Sequence, residues 1–136
     1  MSDKSKDDFY FAYSASLRIM DMPDKHEEIT DILGVKPSIC HKADEVNKYG
    51  ELWGNDIWTI KSPLPESQSL DEHIEWLSNL VSPHKNYVHG LMAQGADVDI
   101  FLGYRSDCEW CGFDLKAKSL ALFTELGVDM TVSIIV

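Results

Sequence analysis

The sequence predicts an α+β fold, a two-layer sandwich in which a mostly antiparallel, twisted sheet carries its helices on one face. Three of its strands alternate apolar and polar residues. Strands with one buried face alternate in this way, whereas parallel strands covered on both faces do not. Helical segments separate most of the strands along the chain. Together these observations predict a ferredoxin-like arrangement with an extra helix and an extra strand.

The chain opens with a polar, charged tail over residues 1–8, and a single domain is expected over residues 9–136. From Phe9 to Met20, apolar side chains recur at every second position. Period-two alternation of this length predicts a long first strand with one buried face.

The next elements are a helix and two short strands. A helix is expected from about Asp24, since acidic residues suit its first turn, and Gly34 ends it in a left-handed conformation. A short strand follows near residues 39–41, and the polar stretch 42–55 predicts a loop or a flexible hairpin. Apolar residues over 57–60 mark the next strand.

The central segment predicts two helices, or one that is sharply kinked. Ser69 and Glu72 have the spacing of a capping box, in which each side chain bonds the backbone amide of the other. Pro83 interrupts the helical pattern and suits the first turn of a new helix. Gly95 is the expected end of this region.

The C-terminal part repeats the alternation of strand and helix. A strand is predicted over residues 97–104, followed by a loop over 105–112 and a helix over 115–126 that ends at Gly127. The last strand, 128–136, alternates in period two and is apolar and terminal. An apolar edge strand can pair with a second copy, which gives an oligomer as one structural hypothesis.

Composition restricts the partners. The 136 residues are 44% hydrophobic, carry a formal net charge of -11 and have a pI of about 4.7. Such acidity disfavours nucleic acids and anionic membrane surfaces and favours a basic protein partner. No secretory signal or membrane-length apolar run is seen, and three cysteines are an odd number, so a reducing cytoplasmic location is expected.

Cys108 and Cys111 form the sharpest local motif. Two thiols at this spacing can hold zinc or form a redox pair. A structural zinc site needs four ligands, and only Cys40 and His41 are candidates to complete it. The alternative is two loop cysteines without a ligand, and we expect no cofactor.

A second candidate is a small cleft between a strand and a helix. His73 and Trp76 are three residues apart on the central helix, and Trp58 lies on the preceding strand. The alternative is a packed tryptophan with a histidine at the rim of the core.

The third candidate is the sheet face that the helices leave open. Asp97 and Asp99 lie side by side on one strand face, where Arg18 from the first strand can neutralise them. This face is expected to show Tyr10, Ser14, Ser16, Arg18, Asp97, Asp99, Phe101, Thr131 and Ser133. Aromatic, arginine and acidic side chains together are more typical of a recognition surface than of a catalytic pocket. The candidate binding residues are Trp58, His73, Trp76, Arg18, Asp97, Asp99, Phe101 and Tyr104.

Several short segments, mostly at element ends, carry a family resemblance. They are Leu17-Arg18-Ile19, Ile29-Thr30, Leu33-Gly34-Val35-Lys36-Pro37-Ser38, Trp58, the 70–77 block, Gly95, Phe101-Leu102-Gly103-Tyr104, Gly112-Phe113 and Leu126-Gly127. The chain thereby resembles domain-of-unknown-function family 4279, a group of small bacterial domains. The resemblance implies the fold and assigns no catalytic residue.

These observations lead to two functional hypotheses. The first is a non-enzymatic acidic binding protein, of the immunity type, that neutralises a basic protein. The alternative is a small-ligand or metal-binding domain that uses the cleft of Trp58, His73 and Trp76 or the pair Cys108 and Cys111.

Overall fold

The computed structural model describes residues 11–107 and 112–135, which form one sheet and its helices. Among these residues the strands are β1 (Phe11–Met20), β2 (Ile39–His41), β3 (Ile57–Lys61), β4 (Asp97–Ser106) and β5 (Asp129–Ile135). The helices are α1 (His26–Leu33), α2 (Leu70–Val81), α3 (Lys85–Ala93) and α4 (Ala117–Leu126). None of the helices in the described ranges has the length and apolar composition needed to cross a membrane.

The sheet has the order β2-β3-β1-β4-β5. The long first strand β1 lies at its centre and runs antiparallel to both β3 and β4, while β2 pairs antiparallel with β3. These four strands and their helices follow the β-α-β-β-α-β order of a ferredoxin-like fold. α4 and β5 are the extra helix and strand, and β5 runs parallel to β4. The predicted α+β class is therefore confirmed.

The core lies on the helix side of the sheet. Alternate residues of β1 point to this side, so Ala15, Leu17 and Ile19 are almost fully buried. They belong to one apolar cluster with residues of all four helices, among them Ile29, Leu77, Leu91 and Leu126. The helices thus cover one face of the sheet, as the alternating strands predict.

The central region contains two helices, in agreement with the sequence. α2 opens with the capping box, in which the Glu72 amide donates to Ser69 Oγ at 3.2 Å and the Ser69 amide donates to Glu72 Oε1 at 3.1 Å. A 3₁₀ turn at Ser82–His84 then separates α2 from α3. Pro83 lies in this turn because a proline cannot donate a helical hydrogen bond.

α1 begins slightly later than the sequence indicates. Pro23–Lys25 form a 3₁₀ turn, so the α-helix starts at His26 and not at Asp24. Gly34 ends α1 with a φ of 72°, in the left-handed region where a side chain is unfavourable. The late start places the His26 side chain in the interior, where it is 7% exposed.

Among the described residues, β5 is the outermost strand on its side of the sheet. Val128, just before the strand, is buried, but Met130, Val132 and Ile134 remain 38%, 38% and 59% exposed. An edge strand has a neighbouring strand on one side only, so its side chains receive less cover than those of β1. Pairing of this edge with a second copy stays a prediction.

Candidate functional site

Arg18 and Asp99 form an ion pair on the open face of the sheet. Their strands place the two residues directly opposite each other, and Arg18 Nε donates to Asp99 Oδ1 at 2.8 Å. A second bond joins Arg18 Nη2 and Asp99 Oδ2, and Thr131 Oγ1 on β5 donates to Oδ2 at 2.7 Å. The Arg18 guanidinium also lies 4.5 Å from the centre of the Phe101 ring. The structure thus brings together residues that the sequence assigned to this face.

The charges of Arg18 and Asp99 compensate each other. Hydrogen bonding to Asp99 raises the pKa of Arg18. Burial alone would raise the pKa of Asp99, but the hydrogen bonds from Arg18 and Thr131 outweigh it and lower that pKa. Asp97 is exposed and lies opposite Met20, outside this network of bonds. A carboxylate that already has its cation offers little charge to a partner, so we regard this cluster as a clamp across three strands.

Trp58 and His73 belong to the core. Trp58 is 0% exposed, and its Nε1 donates to Thr30 Oγ1 at 3.0 Å. His73 is 1% exposed, its Nδ1 lies 2.8 Å from Ser62 Oγ, and burial lowers its pKa. Trp76 is half-buried and packs against the same core. Two of the three side chains therefore have no surface to offer a ligand, and the structure gives them a packing role.

The remaining candidates fall elsewhere. Tyr104 is buried on the helix side of the sheet, with its ring centre 5.6 Å from that of Tyr13 and 5.5 Å from that of Phe113. The pair Cys108 and Cys111 lies outside the described residues. Within the described ranges, no group of three or more histidine, cysteine or acidic side chains is arranged to hold a metal ion.

An acidic groove lies between α1 and β2. Two adjoining cavities, of about 390 and 310 Å³, share His26, Glu27 and Cys40 in their linings. We define the acidic groove by its charged and reactive side chains, which are Asp24, His26, Glu27, Asp31, Cys40, His41, Lys42 and Glu45. Among the described lining residues four carboxylates face a single lysine, so the groove has a negative potential.

Two side chains that line the groove, Cys40 and His26, form a row with the buried Asp56. Cys40 Sγ lies 3.3 Å from His26 Nδ1, and His26 Nε2 lies 3.5 Å from Asp56 Oδ2. His26 and Asp56 are each 7% exposed, whereas Cys40 is exposed to solvent. The Asp56 carboxylate also accepts the amides of Asp21 and Met22, at 3.2 and 3.0 Å.

The segment between β2 and β3 projects beside the groove as a hairpin-like arm, which we define as residues 42–56. A backbone bridge between Val46 and Leu52 closes it, and the Trp53 ring stacks on His41 with centres 3.8 Å apart. The arm exposes Val46, Tyr49, Leu52 and Trp53 at 60%, 75%, 64% and 44%. Clustered exposed apolar side chains of this kind mark interaction surfaces. The polar stretch therefore forms a hairpin with an exposed apolar surface.

A further acidic cavity, of about 420 Å³, lies near the start of α2. Among its described lining residues, four carboxylates face two lysines, Lys116 and Lys118. Asp71, one of its acids, also accepts the Lys116 amide and the Ser119 hydroxyl, and so serves to hold α4 on α2. The excess of carboxylates over lysines is thus larger in the acidic groove than in this cavity.

Sequence reasoning missed the row of Cys40, His26 and Asp56. Fourteen residues separate the first two, and no motif spacing joins them. The contact depends on β2 pairing with β3, which places Cys40 opposite Trp58 and so on the helix side, facing α1. A usable signal was the presence of a cysteine in a short predicted strand that follows an acidic helix.

Comparisons with known proteins identify one family. The family model described as "Domain of unknown function (DUF4279)" matches residues 11–136, so the chain belongs to this family. Neither the curated proteins nor the solved structures include a match.

Proposed function

We propose that this member of the DUF4279 family is a protein-binding domain that docks a basic protein partner on the acidic groove and the arm. The observation that carries the proposal is their contact, because His41 both lines the groove and stacks on Trp53 of the arm. A negative surface therefore continues into an exposed apolar one.

The two surfaces supply different parts of a protein interface. Complementary charge steers the partner and fixes its orientation, while desolvated aromatic and apolar side chains contribute most of the affinity. The groove offers Asp24, Glu27, Asp31 and Glu45, and the net charge of -11 extends the attraction beyond them. A small acidic domain of this kind would neutralise its partner by covering a positively charged surface.

The same charge argues against nucleic acid and anionic lipid as partners, since both carry negative groups. Cys40 is a free thiol on the surface. An exposed thiol persists in a reducing compartment, which supports a cytoplasmic location for this domain.

Affinity capture from the host lysate tests the proposal, with wild type compared to a groove variant, Glu27→Lys/Glu45→Lys. A control, Glu125→Lys/Asp129→Lys, introduces the same charge at exposed positions away from the groove. We expect one basic protein, retained at low salt and lost at high salt, whose affinity falls at least about tenfold in the groove variant alone. Equal binding by both variants would show that net charge and not the groove attracts the protein.

The arm is tested separately with Tyr49→Ser/Leu52→Ser. Both side chains are highly exposed, so this change should leave the fold intact. Loss of the two apolar contacts should weaken binding by about tenfold or more at every salt concentration, because apolar contacts are not screened. Unchanged binding would remove the arm from the interface.

A further inference from the structure

Cys40, His26 and Asp56 have the order of groups that activates a nucleophile. A thiol contacts one nitrogen of an imidazole, and a carboxylate lies against the other. In nucleophilic catalysis a base takes the proton of the attacking group, and a third residue orients the base. The three side chains come from β2, from the first residue of α1 and from the residue before β3, so the row is a product of the fold.

The surrounding backbone fixes the row in place. Asp21, with a φ of 68°, forms the tight turn after β1 and donates its amide to Asp56, as does Met22. The carboxylate is thereby anchored 3.5 Å from His26 Nε2, a buried nitrogen that has no hydrogen-bond partner among the described residues. His26 in turn is buried at the start of α1, so its ring has little freedom to leave Cys40.

Activation of the thiol requires His26 to carry its ring proton on Nε2. With the proton on Nε2, this nitrogen points at the Asp56 carboxylate, and Nδ1 is free to accept the proton of the Cys40 thiol. The 3.5 Å separation of Nε2 and Oδ2 is long for a hydrogen bond. Catalytic hydrogen bonds are often long in unliganded enzymes and shorten when the base becomes charged.

We propose that Cys40, with His26 as general base and Asp56 as positioning residue, forms a nucleophilic site that accepts an acyl group from a positively charged ester or thioester. Cys40 attacks the acyl carbonyl, its proton passes to His26, and the bond to the leaving group breaks. His26 returns the proton to the leaving alcohol or thiol, which leaves an S-acyl Cys40. Water then hydrolyses this thioester to the carboxylic acid and restores the thiol.

The acidic groove determines the substrate class. Cys40 shares its two cavities with Glu27, Asp31 and Glu45, and Lys42 is the one cation among the described lining residues. A positive group near the acyl carbonyl would pair with these carboxylates and bring the carbonyl to the thiol. The cationic preference rests on the same groove as the proposed function, whereas the nucleophilic row does not depend on it.

The test uses the full chain in a Cys108→Ser/Cys111→Ser background, so that Cys40 is the only thiol. The probes are acetylthiocholine, which is a cationic thioester, and phenyl thioacetate, which is neutral. Intact-mass and peptide mass spectrometry measure the rate at which one acetyl group appears on Cys40. We expect acetylation faster than that of a short cysteine peptide, by about a hundredfold, the contribution typical of a general base.

His26→Gln should remove most of this advantage, and Asp56→Asn part of it. His84→Gln, a histidine that does not line the groove, is the matched control and should react like the background protein. Thermal unfolding of each variant reports whether the fold is kept. A rate at His26→Gln equal to that of the background, or a background rate no higher than that of the peptide, would overturn the proposal.

If His26→Gln does not fold, the pH dependence of the acetylation rate of the background protein tests the role of His26. A histidine base gives a rate that rises with pH and levels off before the thiol ionises, whereas an unassisted thiol gives a rate that follows thiol ionisation throughout. Besides Cys40 and Asp56, the charged and titratable groups that face His26 are Asp24, Glu27, Asp31, His41, Lys42 and Glu45. A profile that follows thiol ionisation alone would refute the role of His26.

The ratio of the two probes separates this site from the proposed function. The ratio compared is the acetylation rate with acetylthiocholine divided by the rate with phenyl thioacetate. A higher ratio for the protein than for the peptide supports a cationic substrate. An equal ratio overturns the cationic class while the His26 dependence still establishes the nucleophile. If the groove variant loses protein binding while Cys40 of the background protein is not acetylated, the proposed function stands and this inference is refuted.

Discussion

Replacing Arg18 with leucine should destabilise the domain by about 2 kcal/mol at neutral pH. Arg18 donates two hydrogen bonds to Asp99, which is 7% exposed. Hydrogen bonds to charged groups contribute about 1.5–3 kcal/mol each, and removal of one partner leaves the other charge buried. The Arg18 side chain is 26% exposed, so solvent screens part of the interaction. We therefore use the lower part of the range for the whole pair.

Acid should reduce the effect of this substitution. The pKa of Asp99 is lowered in the folded protein, so its ion pair contributes stability above the unfolded pKa, about 3.9, and loses it as pH falls through the folded value. In Arg18→Leu the unpaired carboxylate becomes neutral more readily in acid. The difference in unfolding free energy between wild type and variant should thus shrink between pH 7 and pH 3.

Urea unfolding at both pH values measures this difference, with Arg105→Leu as the matched control. Arg105 is exposed on the same face of β4, and its loss should change the free energy of unfolding by less than about 0.5 kcal/mol. The double variant Arg18→Leu/Asp99→Leu should recover part of the loss, since it leaves no buried charge. Equal effects of Arg18→Leu and Arg105→Leu, or a loss that is the same at both pH values, would refute the reasoning.

Three other predictions concern single side chains. Ser69→Ala breaks the capping box and should cost about 1 kcal/mol in the free energy of unfolding, seen as a lower urea midpoint; an unchanged midpoint would mean that the cap contributes nothing. Burial lowers the pKa of His73, so the unfolded chain takes up a proton more readily than the folded protein. The free energy of unfolding should therefore fall as the pH drops below the unfolded pKa of about 6.5. In His73→Gln the free energy of unfolding should depend less steeply on pH, and the same dependence in variant and wild type would contradict this. Glu45→Gln should lower the pKa of Cys40, measured by the pH dependence of iodoacetamide alkylation, while Glu51→Gln on the arm should not shift it.

The sequence predicted the sheet and its open face well, because those features depend on alternation. Arg18 and Asp99 occupy alternate positions of strands whose other faces are apolar, so the pattern alone places both on the same face. The capping box at Ser69 is likewise a local signal, and its partner lies three residues away. Features determined by a few neighbouring residues could be read without the topology.

The side of the sheet on which Trp58 lies could not be predicted from the sequence. β3 has the sequence Ile57-Trp58-Thr59-Ile60-Lys61, in which both faces contain an apolar residue, so alternation does not say which side a tryptophan takes. The structure directs it to the helix side, where it is fully buried. The groove could not be predicted from the sequence either, because α1, β2 and the arm meet only after β2 has paired with β3.

The groove combines a thiol with carboxylates that oppose its ionisation. Partial burial, and then Glu45 and Asp56, raise the pKa of Cys40, and Lys42 offsets them only in part. A protein that used a resting thiolate would place cations at these positions. A thiol that stays protonated until a histidine takes its proton has no such need, and the carboxylates are then free to hold a cation. Binding of that cation beside Glu45 would in turn reduce the electrostatic cost of ionising Cys40, so this carboxylate would both help to select the ligand and make the thiol responsive to it.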